Sequence, residues 1–86
     1  MNEEYLQKLQ TYQINKARSI TSKKLAATDW YVIINVEREI EIPADIAAER
    51  ATAIEKFNIF ETAVLSATTE NIYTIIKNAT IAFEGE

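Results

Sequence analysis

The stretch WYVIINVEREIEI, Trp30 to Ile42, decides how this chain is read, because it lies between two segments of helical pattern and has a period of its own. Trp30, Val32, Ile34, Val36, Arg38, Ile40 and Ile42 alternate with Tyr31, Ile33, Asn35, Glu37, Glu39 and Glu41. A period of two marks an extended strand, in which successive side chains point to opposite faces. The pattern predicts an extended arm over 30–42, apolar on one face and acidic on the far half of the other. At ~3.3 Å per residue such an arm reaches roughly 40 Å. A hairpin around Glu37 to Glu39 would need a strong turn pair, and no Asn-Gly or Asp-Gly is present.

The flanks read as helices. In the first, over 2–27, Leu6, Leu9, Ala17 and Ile20 form one stripe with Tyr5 and Tyr12 beside it. Ser19 to Ser22 is a weak patch where this helix could kink, and Thr28 with Asp29 ends it by offering the backbone competing hydrogen bonds. Pro43 opens a second helix over 43–66, since a proline N–H is not missed in the first turn. Ile46, Arg50, Ala53, Phe57, Phe60, Val64 and Ala67 recur there at alternating spacings of four and three, a heptad-like seam that Ile54 and Leu65 widen. After a break at Ser66 to Thr69, where Thr68 or Thr69 can cap, a short helix over 69–80 places Ile72, Ile75, Ile76 and Ala79 on one face, which Phe83 continues. The expected fold is mainly α, a single domain over 1–86. It has two or three helices with an extended strand-like arm between the first and second, and is non-globular or oligomeric.

Composition narrows the function classes. Eighty-six residues with a hydrophobic fraction of 48% suit one small globular domain, and one Gly with one Pro favours long elements with few reversals. There is no Cys and no His, so a thiolate nucleophile, a sulfur ligand and the usual proton shuttle are all missing from the sequence. No apolar run approaches the ~18 residues of a membrane span, and the N-terminus lacks the pattern of a secretory signal, so no membrane contact and no cofactor are expected. The net charge of −4 is uneven, with +2 over residues 1–29 and −6 over the remainder, a layout that suits pairing of opposite charges between helices or ordinary surface drift equally well.

Candidate sites are few. Glu37, Glu39 and Glu41 on one strand face could attract a hard cation, but a solvated face is the better reading without a tight carbonyl-lined turn. Trp30 with Tyr31 could stack on a base or sugar ring, yet the acids that follow them favour an anchor against helices or a protein partner. Lys16, Arg18, Lys23 and Lys24 could touch phosphates, although four such residues more often form a solvated helix face. Arg50 on an apolar seam needs a partner, which Asp45, Glu49 or an acid of another chain could supply, unless it snorkels to the edge. The hydroxyls of Ser19, Ser22 and Ser66 have no histidine to activate them, so no enzyme and no small-molecule substrate are expected.

At LAATDWYVI, followed by IPADIAAER, the sequence resembles a family of tailed-bacteriophage tail and tail-fibre assembly (tail assembly chaperone-like) proteins. The positions that carry the resemblance are Leu25, Thr28, Asp29, Trp30, Ile42, Pro43, Ile46 and Arg50, over about a third of the chain. Relatives often turn at a short Gly-containing link where this sequence runs through Glu37, Arg38, Glu39, Ile40 and Glu41. The resemblance implies a non-enzymatic role in a phage tail, as a virion subunit or as an assembly protein in the cytoplasm of the infected bacterium.

An extended arm must also find partners for its backbone, since a buried unpaired N–H or C=O costs about 1–3 kcal/mol. The only other candidate strand in the chain is 78–84. The arm is therefore expected to pair, by strand addition, with other tail or tail-fibre proteins or with copies of itself. Trp30, Tyr31, Val32, Ile34, Val36, Arg50, Phe57 and Phe60 would bind the partner. Nucleic acid is disfavoured as a partner by the acidic arm, and a small DNA-binding regulator or an inhibitor presenting that arm to a host enzyme rank below the tail role.

Overall fold

A computed structural model describes residues 2–85, and these form four α-helices with no strand among the described residues. Helix α1 spans Glu3–Ala26, α2 Asp29–Arg38, α3 Ala44–Leu65 and α4 Ile72–Glu84. The mainly α part of the expected fold class fits.

Helices α1, α3 and α4 make an up-down-up bundle. Gln10 reaches the Val64 carbonyl, Arg18 pairs with Glu61 and Arg50 bonds the Leu25 carbonyl, so α1 and α3 run antiparallel. Lys56 on Gly85 and Phe60 on Phe83 fix α4 antiparallel to α3. The core holds Ile14 and Ala17 from α1, Phe60 and Val64 from α3, and Ala79 and Phe83 from α4. A second cluster of Leu6, Ala67 and Ile72 closes the end where α1 begins. The α3 seam faces this core, with burial deepening from half-buried Ile46, Arg50, Ala53 and Phe57 to buried Phe60, Val64 and Ala67. Ile54 and Leu65 do not widen it, because both lie on the exposed side.

Local chemistry explains the ends. Asn2 caps α1 by accepting from the Tyr5 N–H at 2.7 Å, Glu3 and Glu4 occupy its first turn, and Lys23 and Lys24 its last. The helix passes through Ser19 to Ser22 without a break, carrying Thr21 into the interior. Pro43 stands one position before α3, as its N-cap, with Ala44 the first helical residue. Gln10 donates its side-chain amide to the Val64 carbonyl at 3.0 Å, adding to the Ala67 N–H that this last-turn carbonyl already accepts. Neither Thr68 nor Thr69 caps α4; Asn71 stands there, and its side chain accepts from the Thr68 N–H to hold the preceding turn.

The extended arm over 30–42 is not formed. Its first nine residues belong to α2, and residues 39–43 are a loop without strand pairing. Five adjacent apolar residues, Trp30 to Ile34, satisfy a helical period as well as a strand period. A helix also pairs its backbone within ten residues, whereas an arm with no strand beside it leaves its N–H and C=O groups unpaired. The chain ends the helix without glycine: Glu39 takes the left-handed conformation at φ 57°, its N–H bonds the Asn35 carbonyl, and the Asn35 side-chain amide bonds the Ile40 carbonyl at 3.0 Å. Glu37, Glu39 and Glu41 accordingly share no strand face. Strand addition to another chain loses its basis.

Candidate functional site

Arg50 joins three helices at one point. From α3 it donates Nη1 to the Leu25 carbonyl at 2.9 Å and to Thr28 Oγ1 at 2.8 Å, while Nη2 pairs with Asp29 Oδ1 at 3.0 Å. The planar fork of a guanidinium suits this arrangement, because one rigid group serves a helix C-terminal carbonyl, a turn hydroxyl and a helix N-terminal carboxylate together. Its side chain is only 18% exposed, so the contacts are shielded from water on the Arg50 side, while Asp29 remains half in solvent. Neither Asp45 nor Glu49 serves as its ion-pair partner. A cleft of about 650 Å³ opens beside it between the end of α1 and the first half of α3, with Lys24, Asp45 and Glu49 among its walls.

Beyond this clamp stands α2, none of whose residues is buried. Trp30, Ile33 and Val36 are 52%, 54% and 75% exposed, and Ile40 in the following loop is 53% exposed. Tyr31, Val32 and Ile34 are half-buried. Trp30 and Tyr31 pack ring on ring at 4.0 Å with a tilt of 32°. They line, with Ile34, Ile40 and Pro43, an apolar recess of about 200 Å³. Trp30, Tyr31, Val32, Ile34 and Val36 are thus gathered on one exposed element, with Arg50 fixing its base. Phe57 and Phe60 are elsewhere. Phe60 is 4% exposed inside the core, and half-buried Phe57 packs against that core under the Arg18 guanidinium, so Phe60 offers no surface to a partner.

The basic residues of α1 divide. Arg18 turns to Glu61 and the Phe57 ring, and Lys24 lies over the Phe83 ring at 5.6 Å, whereas Lys8, Lys16 and Lys23 share the exposed side with Tyr12. At the opposite end of the bundle the Tyr5 hydroxyl beside Tyr73 holds that phenol above its ordinary value, with slight desolvation adding to the effect. A second apolar groove, about 280 Å³, runs between α3 and α4 past Ile59, Ala63, Ile75 and Ala82. Among the described residues no three acidic side chains gather to hold a metal ion, and no helix is long and apolar enough to cross a membrane.

Sequence reasoning missed Asp29 as the Arg50 partner and Ile33 and Ile40 as members of the exposed apolar face. The signal for Asp29 is its position at the start of a helix, where a carboxylate is favoured, but the alternating pattern of residues 30–42 predicts a strand there. No protein-family model matches this chain, and neither a curated protein nor a solved structure matches it significantly.

Proposed function

We propose that this chain is a non-enzymatic component or assembly protein of a bacteriophage tail that works by helix-to-helix contact with other tail or tail-fibre proteins. One observation carries the reading. Six of the eight positions of the resemblance, scattered over 26 residues of sequence, meet in two adjoining places: Leu25, Thr28 and Asp29 on Arg50, and Trp30 with Pro43 around the apolar recess. A pattern whose members hold each other in register is what a recurring structural element requires, and the element they hold is the exposed α2. Its role belongs to the virion tail or to the cytoplasm of the infected host. The test is quantitative mass spectrometry of purified virions beside affinity capture from infected cells. Stoichiometric presence in virions identifies a subunit; capture with tail proteins but absence from virions identifies an assembly protein. Absence from both overturns the proposal.

A second reading, a small DNA-binding regulator, draws on Lys8, Lys16 and Lys23 beside Tyr12 on the outer face of α1. Phosphate contacts of this kind weaken steeply with salt. The reading requires retention on DNA at low salt that is lost in a variant with Lys8, Lys16 and Lys23 changed to Gln; no retention at low salt dismisses it.

A further inference from the structure

The chain exposes more surface than its size calls for. Its accessible area is 6183 Å², against about 5,200 Å² for a compact monomer of the same mass, an excess of about 1,000 Å². Its radius of gyration is 16.0 Å, where a compact chain of this length has about 12 Å. A standard interface covers about 800 Å² on each partner. The missing cover is therefore about the size of one partner surface.

The element that most needs cover is α2. It has ten residues, and helices shorter than ~12–15 residues are marginal in water even with favourable sequences. Val32, Ile33, Ile34 and Val36 are β-branched, which lowers helix propensity further. Its outward row of Trp30, Ile33 and Val36, extended by Ile40, is apolar and more than half exposed. Arg50 holds its base, and its inner side, Tyr31, Val32 and Ile34, is only half-buried.

The charges around α2 select the occupant. Its far tip carries Glu37, Glu39 and Glu41 with Arg38, while at its near end Asp29 and Arg50 offset each other and the positive excess comes from Lys23 and Lys24 in the preceding last turn of α1. We propose that α2 is a self-association surface, on which a second copy of this chain lays its own α2 antiparallel about a two-fold axis passing close to Ile33. That arrangement sets each acidic tip beside the other copy's Lys23 and Lys24, opposes the two helix dipoles, and lets Trp30 of one copy cover Val36 of the other. A parallel pairing would bring the two acidic tips together. The inference rests on surface, exposure and charge alone, and stands whether or not the phage-tail role does.

The chain has no cysteine, so single cysteines report proximity without interference. Light scattering at high micromolar concentration is expected to give twice 9.8 kDa. The emission of Trp30, the sole tryptophan, is expected to shift to shorter wavelength as concentration rises. Under mild oxidation Ile33→Cys is expected to form a disulfide-linked dimer, and Ile81→Cys, on the exposed side of α4, is not. Ile33→Glu replaces a β-branched residue with a better helix former, so it keeps the helical circular dichroism and loses the dimer. A wild-type monomer at all concentrations overturns the proposal. So does a dimer that survives Ile33→Glu, or that breaks instead with Ile59→Glu in the α3/α4 groove.

Discussion

Arg50 is the residue on which the placement of α2 turns. Its three acceptors come from the end of α1, the turn and the start of α2, so removing it takes the charged donor from the Thr28 hydroxyl oxygen, the ion-pair partner from Asp29 and one of several donors from the Leu25 carbonyl, which keeps the Thr28 N–H at 3.0 Å. Hydrogen bonds to a charged group contribute about 1.5–3 kcal/mol, and the half-exposed carboxylate of Asp29 adds at most about 1 kcal/mol after solvent screening. Arg50→Ala is expected to destabilise by about 2–3 kcal/mol in urea unfolding, and Arg50→Lys to recover less than half, since a single ammonium does not span three acceptors set for a planar fork. A double-mutant cycle with Asp29→Asn should give a coupling of about 0.5–1 kcal/mol, and zero coupling would mean the ion pair is incidental. The sequence showed that a guanidinium on an apolar seam required a partner. It did not show which: Glu49 is adjacent to Arg50 and Asp45 five residues before it, spacings that do not face each other on a helix, and the true partner lies 21 residues upstream.

At the scale of the element, α2 marks where local pattern ceases to determine structure. The α3 seam was legible because its alternating spacings of four and three extend over 22 residues, and a stripe of that length has no reading other than helix. The α4 face, Ile72, Ile75, Ile76, Ala79 and Phe83, was legible for the same reason. Trp30 to Ile42 is short, nearly all apolar in its first half, and rich in β-branched residues, so its residue types favour strand while its isolation from any other strand forbids it. Its terminating device was also hidden, because Glu39 occupies a left-handed position usually filled by glycine. That position makes a prediction at this scale. Glu39→Gly removes the Cβ strain at φ 57° and is expected to stabilise the chain by about 0.5–1 kcal/mol, read as a rise in urea midpoint with unchanged slope. A fall in the midpoint would mean that the Glu39 side chain contributes more than its backbone costs.

For the whole molecule, cohesion is distributed unequally along a long axis of 52 Å. The bundle of α1, α3 and α4 encloses two contiguous apolar clusters, and truncating a fully buried residue such as Ile72 or Val64 to Ala is expected to cost about 2–4 kcal/mol. Helix α2 shares in neither cluster. Opening α2 alone uncovers only the half-buried Tyr31, Val32 and Ile34, whereas opening α3 requires separating it from both neighbours and uncovers buried Phe60 and Val64, so the two belong to different cooperative units. Amide exchange measures this difference directly. In the Ile33→Glu variant, which removes any cover from a second copy, amides of residues 33–38 are expected to exchange at least about a hundredfold faster than those of residues 60–64, equivalent to a gap of about 3 kcal/mol or more in opening free energy. Adding Arg50→Ala should accelerate exchange in α2 more than in α4, because the clamp touches the base of α2 and not the α3/α4 contact. Uniform protection across the four helices would refute the division. It would show that a helix with no buried residue is nonetheless held by the fold as a whole.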